Sequence, residues 1–349
     1  MRIDARSGVL LRLPNWLGDL VAVEPAVRAL HRAVVEDADG ALTLVAPRRL
    51  LTLFDGRFDG ARRWAVEDGV SGWRGHGTAV LFTGSWRSAW TAVRAGIGVR
   101  VGQARDGRGL LLTAGARPAL ERGAVALSTR RPGSWPRYAP RAVAAVAGEL
   151  SGLVGVAVAD PVPRLVPRPD AAASVERELE HLGGRPFTLL NAGGRSGSAK
   201  ALATDEWMRA LAGHRSDVPF VLAFGPGEET GARALAQSLA ANGRIAHAFA
   251  QGQRAPTLHE YLALLARSQR FVTTDTGPRH LARALGTPTV VLFGPTDPRH
   301  TLSDARGSER LVQGAASCAP CHLERCPLTG ADERACLRDA ADRFATLRP

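Results

Sequence analysis

Lysine is almost missing from this sequence. Among its 45 basic residues, Lys200 is the only lysine, and all the others are arginine. Where arginine serves every ordinary cationic position, a retained lysine marks a place that needs a compact ammonium instead of a planar guanidinium. Chance survival is the alternative explanation. Lys200 ends a loop rich in glycine and serine (residues 191–200) that follows a predicted strand, and this setting favours a functional role.

Aromatic residues are also scarce, at 5% of the chain. The formal net charge of +12 would suit a protein that binds nucleic acid. However, the arginines are scattered over both halves of the sequence, and no basic helix or aromatic platform for bases stands out. We therefore expect no nucleic-acid partner. The positive charge is assigned to an arginine-rich surface that attracts anionic substrates or an anionic membrane face.

Long hydrophobic runs are absent as well. No apolar stretch approaches the roughly 18 residues that a membrane-spanning helix requires. Near the N-terminus, Arg12 interrupts the short apolar stretch from Val9 to Leu13, and no small-residue cleavage site of a secretory signal follows. The sequence thus predicts a cytoplasmic protein whose contact with a membrane is peripheral.

Predicted strands and helices alternate along both halves of the chain. This pattern is typical of α/β proteins whose parallel sheets are covered by helices on both faces. The 349 residues suffice for two such domains. Residues 160–169 contain four prolines, which predicts a stiff, non-helical connector. We therefore predict two Rossmann-like lobes, residues 1–160 and 161–349, with a cleft between their parallel sheets.

Two details of this prediction concern individual elements. Residues 137–150 are predicted to form one helix despite Pro140. Thr289–Phe293 is predicted to be the last strand of the second lobe, and a basic tail follows it.

The stretch around Asp275 predicts a ligand site. Residues 271–286 predict a short buried strand, then a tight polar turn, and then a short helix that Gly286 closes. Unpaired N–H groups at such a helix start attract phosphate or another anion. Asp275, Thr276 and His280 would face this ligand, and Gly277 would let the backbone come close. The next strand ends in a second glycine-bearing turn at the same sheet edge, where open α/β sheets bind ligands.

A similar turn follows the first predicted strand, Gly8–Leu13. Asp19 lies at the predicted start of a helix that runs from Leu20 to about His31, where a carboxylate can cap N–H groups. In a first interpretation, Asp19 has only this structural capping role. The adjacent Gly18 favours a second interpretation, because a glycine lets the backbone come close to a ligand. In the second interpretation the turn belongs to a ligand site, with Asn15, Trp16, Gly18 and Asp19 as its candidate residues.

All four cysteines lie within 19 residues, at Cys318, Cys321, Cys326 and Cys336. Four thiolates can surround a zinc ion, and a Cys-x-x-Cys pair is a common chelating turn. A cytoplasmic location favours metal over disulfides. An iron–sulfur cluster or plain reduced thiols fit the spacing too, because a second Cys-x-x-Cys pair is missing. We predict a structural metal without a catalytic role, and His322 and Arg325 are candidates for lining the substrate site.

Four segments of the chain resemble a known family. They are LLRLPNWLGDLVAVEPAVRAL near the N-terminus, GGRSGSAK in the middle, TTDTGPRHLARALGTPTVVLFGPTDPRHT, and CAPCHLERCPL in the tail. Together they resemble the ADP-heptose:lipopolysaccharide heptosyltransferases of glycosyltransferase family 9, in particular the heptosyltransferase II branch. The resemblance implies a GT-B fold, with the acceptor on the N-terminal lobe and the nucleotide sugar on the C-terminal lobe.

The resemblance also implies an activity. It is the inverting, metal-independent transfer of L-glycero-D-manno-heptose from ADP-heptose to the lipopolysaccharide inner core, without a catalytic cofactor, at the inner face of the inner membrane. Asp19 matches the family's general base, and Lys200 matches the lysine that meets the donor phosphates. Glu228 or Glu229 matches an acidic residue that holds the ribose. The implied donor-binding residues are Ser196, Ser198, Lys200, Glu228, Asp275, Thr276, Gly277 and His280.

The chain departs from the family pattern in the loop before Lys200. Residues 191–193 are Asn-Ala-Gly where many members have Pro-Gly-Ala, and Ala201-Leu202 replace a basic residue and a tryptophan. Three alternative functions therefore remain open: transfer from another nucleotide sugar, epimerisation or hydrolysis of a nucleotide sugar on a GT-B-like fold, and a non-catalytic binding or assembly role.

Overall fold

The computed structural model describes residues 3–121, 137–191, 193, 198–214, 217–301 and 307–347. The chain divides into two compact units. Of the described residues, the first unit contains 3–121, 138–164 and 299–301, and the second contains 137, 165–298 and 307–347. The division after Arg164 falls inside the proline-rich stretch.

The first unit is built on one parallel sheet in its described residues. The strands are Val9–Arg12 (β1), Leu42–Ala46 (β2), Arg62–Ala65 (β3), Thr78–Leu81 (β4), Val99–Gln103 (β5) and Ala114–Ala116 (β6), and their order is β3-β2-β1-β4-β5-β6. The helices are Leu17–His31 (α1), Arg48–Leu51 (α2), Trp86–Arg94 (α3) and Val143–Leu153 (α4). A separate short ladder pairs Leu120–Glu121 (β7) with Arg137–Tyr138 (β8).

The second unit repeats this arrangement. Its strands are Thr188–Asn191 (β9), Phe220–Ala223 (β10), Ala246–Ala248 (β11), Arg270–Thr274 (β12), Thr289–Phe293 (β13) and Glu309–Gln313 (β14), in the parallel order β11-β10-β9-β12-β13-β14. The helices are Pro169–Glu178 (α5), Thr204–Leu211 (α6), Glu229–Ala241 (α7), Leu258–Arg267 (α8), Gly277–Leu285 (α9) and Ala335–Thr346 (α10). Trp207 of α6 and Phe344 of α10 pack with Leu190 of β9 in one core.

In both sheets the strand order reverses beside the first strand. β1 lies between β2 and β4, and β9 lies between β10 and β12. The chain therefore leaves the first strand towards one side and later returns to the other, so that the loops at the carboxyl ends diverge and open a crevice for ligands. The turn after β1 and the turn after β12 lie at these two points, and the predicted α/β class is confirmed.

Three elements differ from the prediction. β3 was not predicted, because Arg62 and Arg63 are exposed on this edge strand and give no apolar alternation. Thr289–Phe293 is not the last strand, since β14 and then α10 follow it. The helix predicted over residues 137–150 begins only at Val143, after Pro140, because a proline cannot donate inside a helix and restricts the residue before it.

Among the helices in the described ranges, none combines the length and the apolar character that crossing a bilayer demands.

Candidate functional site

The sequence explains the sharp turn between β12 and α9. Thr276 is extended (φ −128°, ψ 171°), and Pro278 occupies the first turn of α9, where its missing N–H costs no helical hydrogen bond. At the other end, Gly286 adopts the left-handed φ of 74° that terminates the helix. The start of α9 therefore lies at the carboxyl edge of the sheet, beside the switch point.

The carboxylate of Asp275 gathers several donors in this turn. Arg279 donates from Nη1 to Oδ1 at 3.0 Å, Thr296 donates its hydroxyl to Oδ2 at 2.7 Å, and the Lys200 ammonium lies 3.5 Å from Oδ2. The Asp275 side chain is 7% exposed, whereas that of Lys200 is 37% exposed. Burial would raise the pKa of Asp275, but Lys200 and Arg279 outweigh it and lower the pKa to about 2. Asp275 is therefore charged, and the ammonium beside it is accessible.

Arg279 is held from a second direction. Its buried guanidinium donates from Nε and Nη2 to the two carboxylate oxygens of Glu309 on β14, at 2.7 and 2.8 Å. The guanidinium also lies over the Phe293 ring, 4.9 Å from its centroid. Arg279 thus connects the Asp275 carboxylate to the outer strand of the sheet.

His280 is a buried, neutral imidazole. Burial and the guanidinium groups of Arg283 and Arg279 lower the pKa of His280 well below its ordinary value. Nη2 of Arg283 lies 3.2 Å from Nδ1 of His280. Because a guanidinium can only donate, Nδ1 must accept, and the proton of the neutral ring resides on Nε2. His280 is therefore a hydrogen-bond donor at Nε2.

Asn191 connects β9 to the turn after β12. Its Nδ2 donates to the hydroxyls of Thr273 and Thr276 at 3.1 and 2.9 Å. Its Oδ1 accepts the hydroxyl of Tyr261 at 3.1 Å. These bonds cross the switch point and fix the two strand ends relative to each other. The asparagine that departs from the family pattern thus has a structural task.

The neighbouring Glu228 and Glu229 have different surroundings. Oε2 of Glu228 accepts the N–H of Gly225 at 2.7 Å, and a Cβ added to Gly193 would come within 1.9 Å of the same oxygen. Glu229 accepts the N–H of Gly227 at 3.1 Å, and its own backbone N–H and that of Gly227 lower its pKa. Glu228 therefore belongs with the loop after β9, whereas Glu229 belongs to the first turn of α7.

Of the two predicted serines, Ser198 accepts the N–H of Lys200 on its Oγ at 3.2 Å. Ser198 thus shapes the turn that presents the lysine. Ser196 lies outside the described residues, so its donor-binding role stays a prediction.

The C-terminal segment brackets Lys200 on both sides. The N–H of Ala199 donates to the Glu324 carbonyl at 2.8 Å. On the other side, Nη1 of Arg334 donates to the Ala201 carbonyl at 2.5 Å. The same Nη1 forms an ion pair of 3.0 Å with Glu206. The backbone around Lys200 is thereby anchored to residues 324–334.

In the first unit, the turn after β1 carries the other predicted residues. α1 begins two residues before Asp19, earlier than predicted, so Gly18 and Asp19 are its second and third residues. The buried Arg12 donates to Oδ1 of Asn15 at 2.6 Å and fixes the turn, while Trp16 is 69% exposed. Asp19 is half-buried in the first turn of the helix, where the dipole favours a carboxylate, at the carboxyl edge of the sheet.

The four cysteines differ in exposure. Cys318 is exposed, Cys321 and Cys326 are half-buried, and Cys336 is buried. Burial, together with Cys318 and Cys321, raises the pKa of the Cys336 thiol to about 11. In the part of the chain that the structure describes, no three His, Cys, Asp or Glu side chains form a group that could hold a metal. The predicted structural metal stays a prediction.

Three polar residues around Asp275 were not among the predicted site residues, namely Arg279, Thr296 and Asn191. Each directly follows or lies near the end of a buried strand, inside a stretch that the sequence did single out. Their side-chain partners, however, come from separate strands and are not visible in the sequence. Glu309 gave no signal, because its strand was not predicted.

The chain is similar to proteins of one known family. The sequence model of glycosyltransferase family 9 (heptosyltransferase) matches residues 75–331. A 59-residue stretch is 41% identical to lipooligosaccharide heptosyltransferase 2 of Haemophilus influenzae, over 16% of this chain and 17% of that protein. A 70-residue stretch is 40% identical to lipopolysaccharide heptosyltransferase 1 of Pseudomonas aeruginosa, over 20% of this chain and 19% of that protein. The chain thus spans about a fifth of these relatives' lengths.

Solved structures match over nearly the whole chain. A glycosyl transferase of family 9 from Veillonella parvula superposes with a TM-score of 0.68 at 14% identity, covering 99% of this chain and 98% of that one. E. coli ADP-heptose lipopolysaccharide heptosyltransferase II gives 0.62 at 18% identity, covering 97% and 98%. E. coli heptosyltransferase WaaC with ADP gives 0.62 at 16% identity, covering 96% of each chain.

At such low identities the structural likeness concerns the fold, and it confirms the predicted GT-B class. The family model, in contrast, covers more than half of the sequence, including the turn after β12. This chain therefore belongs to glycosyltransferase family 9, the heptosyltransferase family.

Proposed function

We propose that the chain transfers a heptose from ADP-L-glycero-D-manno-heptose to the inner core of lipopolysaccharide, with inversion at the anomeric carbon. The observation that carries the proposal is the accessible ammonium of the lone lysine at the turn after β12. It lies beside Asp275, which Arg279 holds at the start of α9. Such a turn suits a diphosphate, and the names of the family relatives specify heptose as the sugar.

In this proposal the second unit binds the donor. The ammonium of Lys200 and the N–H groups at Gly277 offset the charge that develops on the departing ADP. His280 donates a hydrogen bond from Nε2 to an oxygen of the nucleotide sugar. Thr276 and Ser198 shape the turns that contact the phosphates. Glu228 holds the ribose hydroxyls. We prefer it to Glu229 because Glu228 contacts the loop after β9.

Asp19 of the first unit is the proposed general base. It accepts the proton of the acceptor hydroxyl as that oxygen attacks the anomeric carbon, and ADP leaves from the opposite face of the sugar. Asn15, Trp16 and Gly18 form the acceptor side of this turn. No metal or other cofactor takes part in the proposed transfer, because Lys200 and the helix start supply the positive charge that the leaving group requires.

The same proposal locates the enzyme in the cytoplasm, at the inner face of the inner membrane, where the growing lipid acceptor is exposed to it. Three alternatives differ in the substrates that they need. A transferase for another sugar needs a different donor, an epimerase or hydrolase needs no acceptor, and a non-catalytic protein turns over neither.

The deciding experiment is an assay of the purified protein against a panel of nucleotide sugars, with release of nucleotide followed with and without a lipid A–core acceptor. We expect acceptor-dependent release of ADP from ADP-heptose. Turnover of the donor without acceptor would indicate an epimerase or a hydrolase. Binding without any turnover would indicate a non-catalytic member, and preference for another sugar would change the donor.

The variant Asp19→Asn tests the base. Removal of a general base lowers kcat by about 100- to 10,000-fold. Binding of ADP-heptose by the variant should be retained. Asp19→Asn keeps the size of the side chain and part of its capping ability, so thermal unfolding controls for structure. Transfer by this variant at the wild-type rate would contradict the assignment.

A further inference from the structure

The first unit exposes large apolar side chains on and beside α3. Trp86 and Trp90 are 48% and 53% exposed, and Leu110, in the loop after β5, is 88% exposed. The two tryptophans are four residues apart, so they share one face of the helix. The opposite face is buried through Ser88, Ala89 and Ala92. Contiguous exposed apolar side chains of this size mark a surface that something else covers.

Gly107 joins the helix and the loop into one surface. Nε1 of Trp86 donates to the Asp106 carbonyl at 2.9 Å, and a Cβ added to Gly107 would lie 3.3 Å from the Trp86 ring. Gly107, Leu110 and Arg117 in turn line a groove of about 520 Å³. We call the surface formed by Trp86, Trp90, Gly107 and Leu110 the α3 face.

Unpaired positive charge surrounds the α3 face. Residues 84–117 contain six arginines but a single acidic residue, Asp106, which pairs with Arg105 at 3.4 Å. Arg87, Arg94 and Arg117 are exposed, and none of them has a carboxylate partner among the described residues. The face therefore combines apolar side chains with free guanidinium groups.

We propose that the α3 face docks the protein on an anionic lipid bilayer. Trp86, Trp90 and Leu110 enter the boundary between headgroups and acyl chains, where tryptophan is favoured. The surrounding arginines bind lipid phosphates, for which guanidinium groups are suited. A second copy of the chain is a poorer occupant, because a symmetric contact through this face would bring like charges together.

Vesicle flotation of the whole protein tests this proposal without reference to its enzymatic activity. We expect binding to phosphatidylcholine vesicles that contain about 30% phosphatidylglycerol, weakened by salt, and little binding to phosphatidylcholine alone. The double variant Trp90→Ser and Leu110→Ser should bind about tenfold more weakly. Each of Arg87→Gln and Arg94→Gln should weaken binding about fivefold.

Matched controls are available outside the face. Ile245→Ser with Leu328→Ser removes exposed apolar side chains of the second unit, and Arg6→Gln with Arg177→Gln removes exposed arginines, so both pairs should bind vesicles like the wild type. Loss of binding in these controls, or wild-type binding by the α3-face variants, would overturn the proposal. So would sedimentation showing that the wild type is a dimer which the Trp90 and Leu110 changes dissociate.

Discussion

At the scale of single residues, Lys200 contacts a carboxylate that already accepts from Arg279 and Thr296. Both Lys200 and Thr296 approach the same oxygen, Oδ2 of Asp275, so little space is left there for a larger cation. We predict that Lys200→Arg keeps the charge but lowers kcat/KM by on the order of 100-fold, because a planar guanidinium cannot take the position of the ammonium. Steady-state kinetics with the donor measure the effect.

The control for this change is Arg177→Lys, an exchange of the same two residue types on the exposed surface of α5. It should leave the kinetics unchanged. A Lys200→Arg enzyme with wild-type donor affinity and rate would show that the lone lysine is a chance survivor.

Arg279 and Glu309 form a buried ion pair, in which each charge is neutralised by the other. Arg279→Met would leave the Glu309 carboxylate buried without this partner, at a cost of about 3–5 kcal/mol in the free energy of unfolding. The double variant Arg279→Met with Glu309→Leu should recover much of this stability. Its affinity for the nucleotide sugar should nevertheless stay below that of the wild type, because Asp275 has lost its hydrogen bond from Arg279.

Denaturant unfolding and donor titration separate these two effects. The exposed pair of Arg267 and Glu176 provides the control, since Arg267→Met should cost less than about 1 kcal/mol. If the double variant bound the donor as tightly as the wild type, Arg279 would have no part in positioning Asp275.

At the scale of elements, the segment 324–334 serves as a support for the loop that carries Lys200. Arg334→Gln would remove the ion pair with Glu206 and weaken the hold on the Ala201 carbonyl. We predict that KM for the donor rises about tenfold while kcat changes little, because the loop must then be ordered by the ligand. Arg343→Gln, on the exposed side of α10, is the matched control. An unchanged KM in Arg334→Gln would contradict the support role.

Local sequence predicted elements best where strand, turn and helix each carried their own signal. Residues 270–286 contain β12, the turn and α9 in the predicted order, and Gly286 closes the helix as predicted. α10 was missed although Cys336, Leu337, Ala340, Ala341 and Phe344 recur at helical spacing, because scattered charges between them suggested a basic tail.

The same contrast applies to the candidate site. Lys200, Asp275 and His280 were visible as polar residues after buried strands. The clamp of Arg279 and Glu309 was not visible, because it joins α9 to a strand 30 residues away in the sequence. Pairings over such separations are set by the packing of the whole sheet and carry no local pattern.

At the scale of the whole molecule, the buried His280 and the half-buried His214 make stability depend on pH. Burial and nearby guanidinium groups lower the pKa of His280 well below its ordinary value of 6.5, and burial, Arg270 and Arg244 lower that of His214. Below about pH 6.5 the unfolded chain therefore binds protons that the folded protein does not, so that stability falls as the pH falls. Each fully neutral histidine contributes a loss of about 1.4 kcal/mol per pH unit.

Urea unfolding between about pH 7.5 and about pH 5.5 measures this slope. We predict that His280→Gln, whose amide oxygen can still accept from Arg283, reduces the slope, whereas the exposed His181→Gln does not. Asp275 acts in a separate range, because its pKa of about 2 lies below its ordinary 3.8, and its stabilising effect is lost only as the pH falls from 3.8 towards 2. An identical slope in His280→Gln and the wild type would refute the assignment.

The lone lysine gives the molecule a chemical label at a known place. Within these 349 residues, an acylating reagent that reacts with primary amines finds a single side chain, and that side chain is accessible enough to react. The α-amine at the N-terminus reacts too, so intact-mass spectrometry shows at most two additions, and the one that Lys200→Arg loses belongs to this position. A nucleotide that shields this amine would register directly as a slower gain in mass.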